Sequence, residues 1–139
     1  MSTEENKAIV RRYQEAYNSN NLDALNGVVA PDFVSHSLAP GLPEGLQGGN
    51  LMHQMTMAAM ADYRVSIDDL IAEGDRVVAR FTMTGTHTGA EFLGLPASGR
   101  KINVSGISIF RLADGKIVEH WANEDALGLL QQLGAMPAQ

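Results

Sequence analysis

The sequence predicts an α+β protein in which helices precede a curved antiparallel sheet, and three observations lead to this prediction. Apolar residues recur at helical spacing near the N-terminus, whereas residues 76–86 alternate apolar and polar side chains, as a strand with one buried face does. The strand-like segments are separated by short turns such as Gly74-Asp75 and Asp114-Gly115. Helices followed by hairpin-connected strands are typical of helices packed on one face of an antiparallel sheet.

The first helix is predicted over Thr3 to Asn18, with Thr3 as the N-cap and Asn6 in the capping-box position. A short helix follows over Leu22 to Val29 and stops at Ala30-Pro31-Asp32, because a residue before proline avoids helical geometry. The remaining elements are predicted from the same periodicities: an extended piece at 33–36, a loop at 39–50, a methionine-rich helix at 51–61, strands at 64–73, 76–86, 101–112 and 116–123, a Gly/Pro loop at 89–100, and a closing helical turn at 125–133.

Length and composition limit the classes of protein. The chain has 139 residues, which predicts a single domain over 1–139, and 45% of them are hydrophobic, enough for a folded core. The net charge of −6 and the scattered basic residues argue against a nucleic-acid partner. The chain has no cysteine, a polar N-terminus and no long apolar run, so we expect a cytoplasmic protein with no membrane association.

Asp125 is the strongest candidate for acid/base chemistry. If the last strand continues with a period of two, Trp121, Asn123 and Asp125 share one face, and the size of Trp121 predicts that this face points inward. A carboxyl group beside a tryptophan in an apolar pocket has a raised pKa and can both take and give protons. The alternative is that Asp125 caps the helical turn that follows it.

The histidines have no metal-ligand spacing to one another, so we expect no metal site. His36 can orient a substrate oxygen or relay a proton, or it can simply be a polar residue at a strand end. His120 has the opposite strand parity from Trp121 and is expected on the outer face unless a bulge shifts the register. His87 is expected at the pocket mouth, and His53 in solvent. We expect the following residues to line the pocket: Tyr17, Met52, Met55, Phe81, Met83, His87, Trp121 and Asn123.

Several segments resemble the SnoaL-like polyketide cyclases, or ester cyclases, of the nuclear-transport-factor-two-like superfamily. The matching stretches are residues 71–80, Gly85-Thr86-His87-Thr88-Gly89, Phe92-Leu93-Gly94-Leu95-Pro96, Ser98-Gly99-Arg100, residues 114–119 and residues 121–125. The resemblance implies a cone-shaped α+β barrel whose N-terminal helices close one deep pocket. It also implies a homodimer formed through the sheet.

The same resemblance implies a cofactor-independent enzyme that closes a ring by intramolecular aldol condensation of a small, apolar, enolisable carbonyl compound. The family's aspartate general acid/base corresponds to Asp125 here, and the polar groups that hold the enolate correspond to His36 and Asn123. Many relatives have an aromatic residue before this aspartate, whereas this chain has Glu124.

Two other functions stay open on the sequence alone. The first is a non-catalytic protein that sequesters an apolar metabolite in the same pocket. The second is an epoxide hydrolase, as in another branch of the superfamily, with Asp69 or Glu119 paired with Asp125. Ligands retained through native purification and an Asp125→Asn variant would distinguish binding from catalysis.

Overall fold

A computed structural model describes residues 2–136 of the chain. The predicted single domain also includes Met1 and residues 137–139, which lie outside the described residues. The elements within residues 2–136 are α1 (Thr3–Asn18), α2 (Leu22–Gly27), β1 (Val29–Ser35), α3 (Gly45–Ala59), β2 (Arg64–Glu73), β3 (Arg76–Thr86), β4 (Lys101–Ala113), β5 (Lys116–Glu124) and α4 (Ala126–Gln132).

The strands form one curved, mixed sheet in the order β1-β5-β4-β3-β2. The hairpin-connected strands β2 to β5 are antiparallel, as predicted, whereas β1 pairs in parallel with β5, which the sequence did not predict. Helix α1 packs across β2 and β3, α3 packs against β1, and α4 packs against β4. The α+β fold with helices closing one side of a curved sheet is therefore confirmed.

The boundaries near the N-terminus differ from the prediction for local reasons. Ser2, not Thr3, caps α1: its hydroxyl accepts from the Glu5 amide at 3.0 Å, and the Glu5 carboxylate accepts from the Ser2 amide. Asn6 is buried instead of serving the cap. The predicted continuation of α2 to Val29 is wrong, because β1 begins there. Pro31 is tolerated because β1 is an edge strand whose register shifts between Val29 and Val34.

Helix α3 begins at Gly45, six residues before the predicted start at Leu51. The glycines of this segment predicted a loop, but Gly48 is buried in the helix, where any side chain would overlap the carbonyl group of Pro43. These glycines therefore allow close packing and do not end the helix.

The inner face of the sheet supports two apolar clusters. One cluster surrounds Met60 and Val104 and includes Leu129 and Leu133 at the C-terminal end. The other surrounds Val77 and contains the inward side chains of α1, β1, β4 and β5. A cavity lies between the two clusters.

Gly106→Ala tests the tightest contact on the inner face. Gly106 of β4 pairs with Phe81 of β3, and a Cβ atom there would lie 2.8 Å from Phe81 Cε2 and 2.9 Å from the Asn123 carbonyl oxygen. We expect the variant to lose about 1–3 kcal/mol of unfolding free energy through overpacking, measured by urea denaturation. Gly27→Ala is the matched control, since among the described residues no heavy atom beyond its chain neighbours and its own helix backbone lies within 4 Å of the added Cβ. Equal stability of the two variants would contradict the close contact.

Candidate active site

A cavity of about 210 Å³ lies between the two apolar clusters and opens to the surface. Its wall is mostly aromatic and aliphatic, with a few polar groups, which is the usual composition of a small-molecule site. The lining residues are Tyr13, Gln14, Tyr17, Phe33, Ser35, Ser37, Leu38, Gly49, Met52, Tyr63, Val65, Phe81, Met83, Ser108, Phe110, His120, Ala122 and Glu124.

A β-bulge in β5 decides which of its side chains face this cavity. Leu112 pairs with Ile117, but the preceding residue Arg111 pairs with Glu119, so Val118 is an extra residue in β5. The extra residue reverses the alternation, and the side chains of His120, Ala122 and Glu124 line the cavity. The prediction that His120 faces outward is therefore wrong, and the bulge named as the exception is present.

Asp125 does not lie in the cavity. Its side chain is exposed and caps α4, with Oδ1 accepting from the Gly128 amide at 2.9 Å. A side chain at residue 128 would meet this carboxylate, so Gly128 allows the cap. The prediction of a sheltered aspartate is wrong, and the alternative of a helix cap is confirmed. Trp121 and Asn123 share its parity and also lie outside the cavity.

His36 belongs to a cluster on the outer face of the sheet. Its Nε2 lies 2.7 Å from Glu119 Oε2, and its ring stacks on Trp121 with a centroid separation of 5.0 Å. Arg111 Nε donates to the other Glu119 oxygen at 2.8 Å, and the Arg76 guanidinium lies over the Trp121 ring at 5.1 Å. Hydrogen bonds from His36 and Arg111 lower the pKa of the Glu119 carboxyl. The predicted placement of His36 at the pocket is wrong, because its hydrogen bond to Glu119 and its stacking on Trp121 hold it on the opposite face.

The carboxylates considered for epoxide hydrolysis are also outside the cavity. Asp69 accepts from Arg80 on the outer face, and Glu119 lies in the His36 cluster. Within residues 2–136, the cavity lining includes neither of them, nor Asp125. The structure therefore does not assemble that pair of carboxylates around a bound molecule.

The other predicted pocket residues divide into two groups. Tyr17, Met52, Phe81 and Met83 line the cavity, as predicted. The prediction that Met55 lines the pocket is wrong, because this residue lies on the outer side of α3 and is 54% exposed.

Two histidines that were expected near the pocket mouth or in solvent are instead fully buried. His87 Nε2 donates to the Ala90 carbonyl at 2.8 Å and ties the loop that follows β3, so it does not line the pocket mouth. His53 Nε2 donates to the Tyr17 carbonyl at 3.0 Å, and its ring meets the Tyr17 ring edge-on. Both predictions are therefore wrong, and His53 supports a helix that carries part of the cavity wall.

His120 is held neutral inside the cavity. Burial is the main cause that lowers the pKa of its imidazole to about 4, and the nearby His36 adds to this effect. Ser35 Oγ lies 3.5 Å from Nδ1 and Ser108 Oγ lies 3.2 Å from Nε2, while the ring packs on Phe110 at 4.7 Å. At neutral pH this side chain can donate one hydrogen bond and accept another without carrying charge.

Glu124 provides the carboxyl group that was expected from Asp125. Its side chain lines the cavity from an exposed position, and partial burial of the carboxyl group raises its pKa. Desolvation disfavours the charged carboxylate, so the proton affinity of this group is greater than that of an ordinary glutamate. A carboxyl group tuned in this direction can take a proton from a carbon acid and return it.

Tyrosine hydroxyls add neutral polar groups to the wall. Burial raises the pKa of Tyr13 to about 12 and raises the pKa values of Tyr17 and Tyr63. These phenols therefore stay protonated, and the Tyr63 hydroxyl donates to the Met83 sulfur at 2.9 Å. The cavity thus combines aromatic surface with donors that keep their protons at physiological pH.

Sequence reasoning missed the pair His120 and Glu124 and the serines Ser35 and Ser108. The sequence contains one indirect sign of this arrangement. The adjacent apolar residues Ile117 and Val118 interrupt the alternation of a regular strand, which indicates a bulge. Within the described residues, no three His, Asp or Glu side chains are grouped as metal ligands would be. Nor does any helix of that part of the chain have the length and apolarity to cross a membrane.

Comparison with known proteins gives a consistent match. The model of the SnoaL-like polyketide cyclase family matches residues 7–133. The aklanonic acid methyl ester cyclase DauD of Streptomyces sp. (strain C5) is 30% identical over 132 residues, covering 91% of this chain and 80% of that protein. The nogalonic acid methyl ester cyclase of Streptomyces nogalater is 26% identical over 121 residues, covering 86% of this chain and 90% of that protein.

Solved structures agree with this match. TsrD from Streptomyces laurentii is similar with a TM-score of 0.89 and 32% identity, covering 98% of this chain and 99% of that chain. A SnoaL-like polyketide cyclase from Agrobacterium tumefaciens is similar with a TM-score of 0.78 and 25% identity, covering 96% of this chain and 100% of that chain.

The lowered pKa of His120 predicts a dependence of stability on pH. Between pH 6.5 and about pH 4 the unfolded chain takes up a proton on this side chain that the folded chain does not. The unfolding free energy therefore falls as the pH is lowered through this window. We expect His120→Gln to have a flatter pH profile there, measured by urea unfolding at several pH values, with Ser105→Ala at an exposed position of β4 as the control. A wild-type profile as flat as that of His120→Gln would contradict the buried neutral imidazole.

Proposed function

The chain belongs to the SnoaL-like polyketide cyclase family, and from this premise we propose that it closes a ring in a small, apolar, enolisable ester by cofactor-independent acid/base catalysis. The observation that carries the proposal is a carboxyl group of raised pKa, Glu124, at an aromatic cavity of about 210 Å³. The relatives DauD and the Streptomyces nogalater protein are named as methyl ester cyclases, which supports the same reaction class for this chain.

In the proposed mechanism, Glu124 removes a proton from a carbon that lies between two carbonyl groups. Such a carbon is already acidic, so one tuned carboxylate is sufficient. The C–H electron pair forms the enolate, whose carbon attacks a second carbonyl of the same molecule and makes the ring bond. Protonated Glu124 then returns the proton to the new alkoxide, so no atom is lost and the net reaction is an isomerisation.

The cavity wall contributes orientation. Aromatic side chains such as Phe33, Phe81 and Phe110 offer flat apolar surface to a conjugated substrate. Holding the nucleophilic carbon against its target carbonyl lowers the entropic part of the barrier. Because the cavity opens to the surface, parts of a substrate that do not fit inside it can extend into solvent.

For the assembly, we propose a homodimer formed through the outer face of the sheet. A row of apolar side chains crosses four paired strands there, made of Ile71, Val78, Ile109 and Trp121, and Ile107 lies beside it. Ile71 is 65% exposed and Ile107 is 51% exposed, which is unusual for a pair of large apolar residues on one sheet face. A charged row of Glu73, Arg76, Arg111 and Glu119 borders this apolar row, as a polar rim borders an interface.

Glu124→Gln and Asp125→Asn form a matched pair of tests for the acid/base group. We expect Glu124→Gln to lower kcat about 10²–10⁴-fold, since the amide cannot accept the carbon proton. Asp125→Asn should retain activity, because asparagine caps helices as well as aspartate does. Ring closure of aklanonic acid methyl ester, nogalonic acid methyl ester and smaller β-dicarbonyl methyl esters would be followed by liquid chromatography.

The reverse pattern, with activity lost in Asp125→Asn and kept in Glu124→Gln, would return the acid/base role to Asp125. Tight binding of these esters without any ring closure would instead favour the sequestering protein.

Ile109→Glu tests the proposed dimer. Ile109 pairs with Val78 and Trp121, so a charge there would be buried among apolar side chains in the interface, and the variant is expected to be monomeric by analytical ultracentrifugation. Met55→Glu, on the exposed side of α3, is the control and should keep the wild-type mass. A monomeric wild-type protein at micromolar concentration would contradict the proposal.

A further inference from the structure

A chain of hydrogen bonds runs from β1 through His120 to the cavity wall. The Ser37 amide donates to Ser35 Oγ at 3.3 Å, and Ser35 Oγ lies 3.5 Å from His120 Nδ1. On the other side of the ring, Nε2 lies 3.2 Å from Ser108 Oγ. A neutral imidazole has one N–H group and one lone pair, so only one of its two nitrogens can donate. Which imidazole nitrogen donates therefore depends on the two serines.

The same distances fit two directions of this hydrogen-bond series. In the first direction Ser35, whose oxygen accepts from the Ser37 amide, donates to Nδ1, and Nε2 donates to Ser108 Oγ. In the second direction Ser108 donates to Nε2, and Nδ1 donates to Ser35 Oγ. Only the first direction leaves the Ser108 proton for a molecule in the cavity.

Ser108 is the last member of this series of hydrogen bonds. It is buried, it lines the cavity, and its hydroxyl contacts His120 Nε2. In the first direction its oxygen accepts the His120 N–H, and the proton of Ser108 is available to a bound molecule. Successive hydrogen bonds in one direction polarise each other and strengthen the final donor.

The position of Ser108 fits a role beside Glu124. Ser108 pairs with Ala122 on β5, and Glu124 is two residues further along the same face. Diagonal neighbours of this kind are about 7–8 Å apart, which leaves room for a carbon acid and its carbonyl oxygen between the two side chains.

We propose that the Ser108 hydroxyl is the donor that binds the carbonyl oxygen of the substrate as it becomes an enolate. His120 and Ser35 are positioning residues that fix the direction of this donor. The inference rests on the proposed ring closure and extends it. When Glu124 takes the proton, the C–H electron pair becomes the carbon–carbon π bond and the carbonyl π pair moves to the oxygen that Ser108 contacts. The reverse shift occurs when the ring bond forms.

The tautomer of His120 tests the direction of the chain without any substrate. Nitrogen-15 NMR of the wild-type protein, assigned with His120→Gln, should show a proton on Nε2 and none on Nδ1. Ser35→Ala should weaken this preference, whereas Ser105→Ala, at an exposed position of β4, should leave it unchanged. A wild-type imidazole protonated on Nδ1 overturns the inference whatever the activity of the protein.

Activity tests the donor itself. Ser108→Ala should lower kcat for ring closure about 10²–10³-fold, as loss of an oxyanion donor does, with a much smaller change in KM. Ser108→Thr keeps the hydroxyl and should restore part of kcat, and Ser105→Ala should match the wild type. Full kcat in Ser108→Ala, in a wild-type background that closes the ring, overturns the donor role alone. A wild-type protein that closes no ring overturns the proposed function and this role together.

Discussion

The site depends on one extra residue in one strand. Val118 has no partner in the β4–β5 ladder, and this bulge exchanges the inward-facing and outward-facing residues of β5 that follow it. Without it, Trp121 and Asn123 would face the helices and His120 and Glu124 would face solvent. The cavity, its neutral imidazole and its carboxyl group of raised pKa all follow from that local change of register. A bulge also bends its strand, which suits the curvature that keeps the two apolar clusters apart.

The apolar surroundings of the cavity set the pKa values of its polar groups. The same burial lowers the pKa of the His120 imidazole and raises the pKa values of the Glu124 carboxyl and the buried phenols. In each case burial favours the neutral form, so the cavity wall holds a set of uncharged donors and acceptors together with one carboxyl group of raised pKa. An enzyme that forms and consumes an enolate needs this combination, since no fixed charge then competes with the transient one.

Periodicity predicted the parts of the fold in which local pattern and tertiary contacts agree. Helix α1 and strands β2 to β5 have nearly the bounds expected, and Tyr17, Phe81 and Met83 line the cavity because their elements keep a regular period. The second half of β1 was predicted as an extended piece, but its first half and the early start of α3 were missed. Pro31 and Gly48 favour loops locally and are accommodated only by edge pairing and close packing. The face of β5 was missed because a bulge depends on pairing between strands, which no single segment records.

The neighbouring carboxylates Glu124 and Asp125 belong to different tasks. Asp125 caps α4, whose Leu129 anchors the C-terminal part of the chain in the core, while Glu124 lines the cavity. In a laboratory evolution experiment this separation has a practical meaning. Under the proposed mechanism, selection for folded protein would restrict residue 125 and selection for ring closure would restrict residue 124. A library that randomises both codons can therefore separate the two requirements.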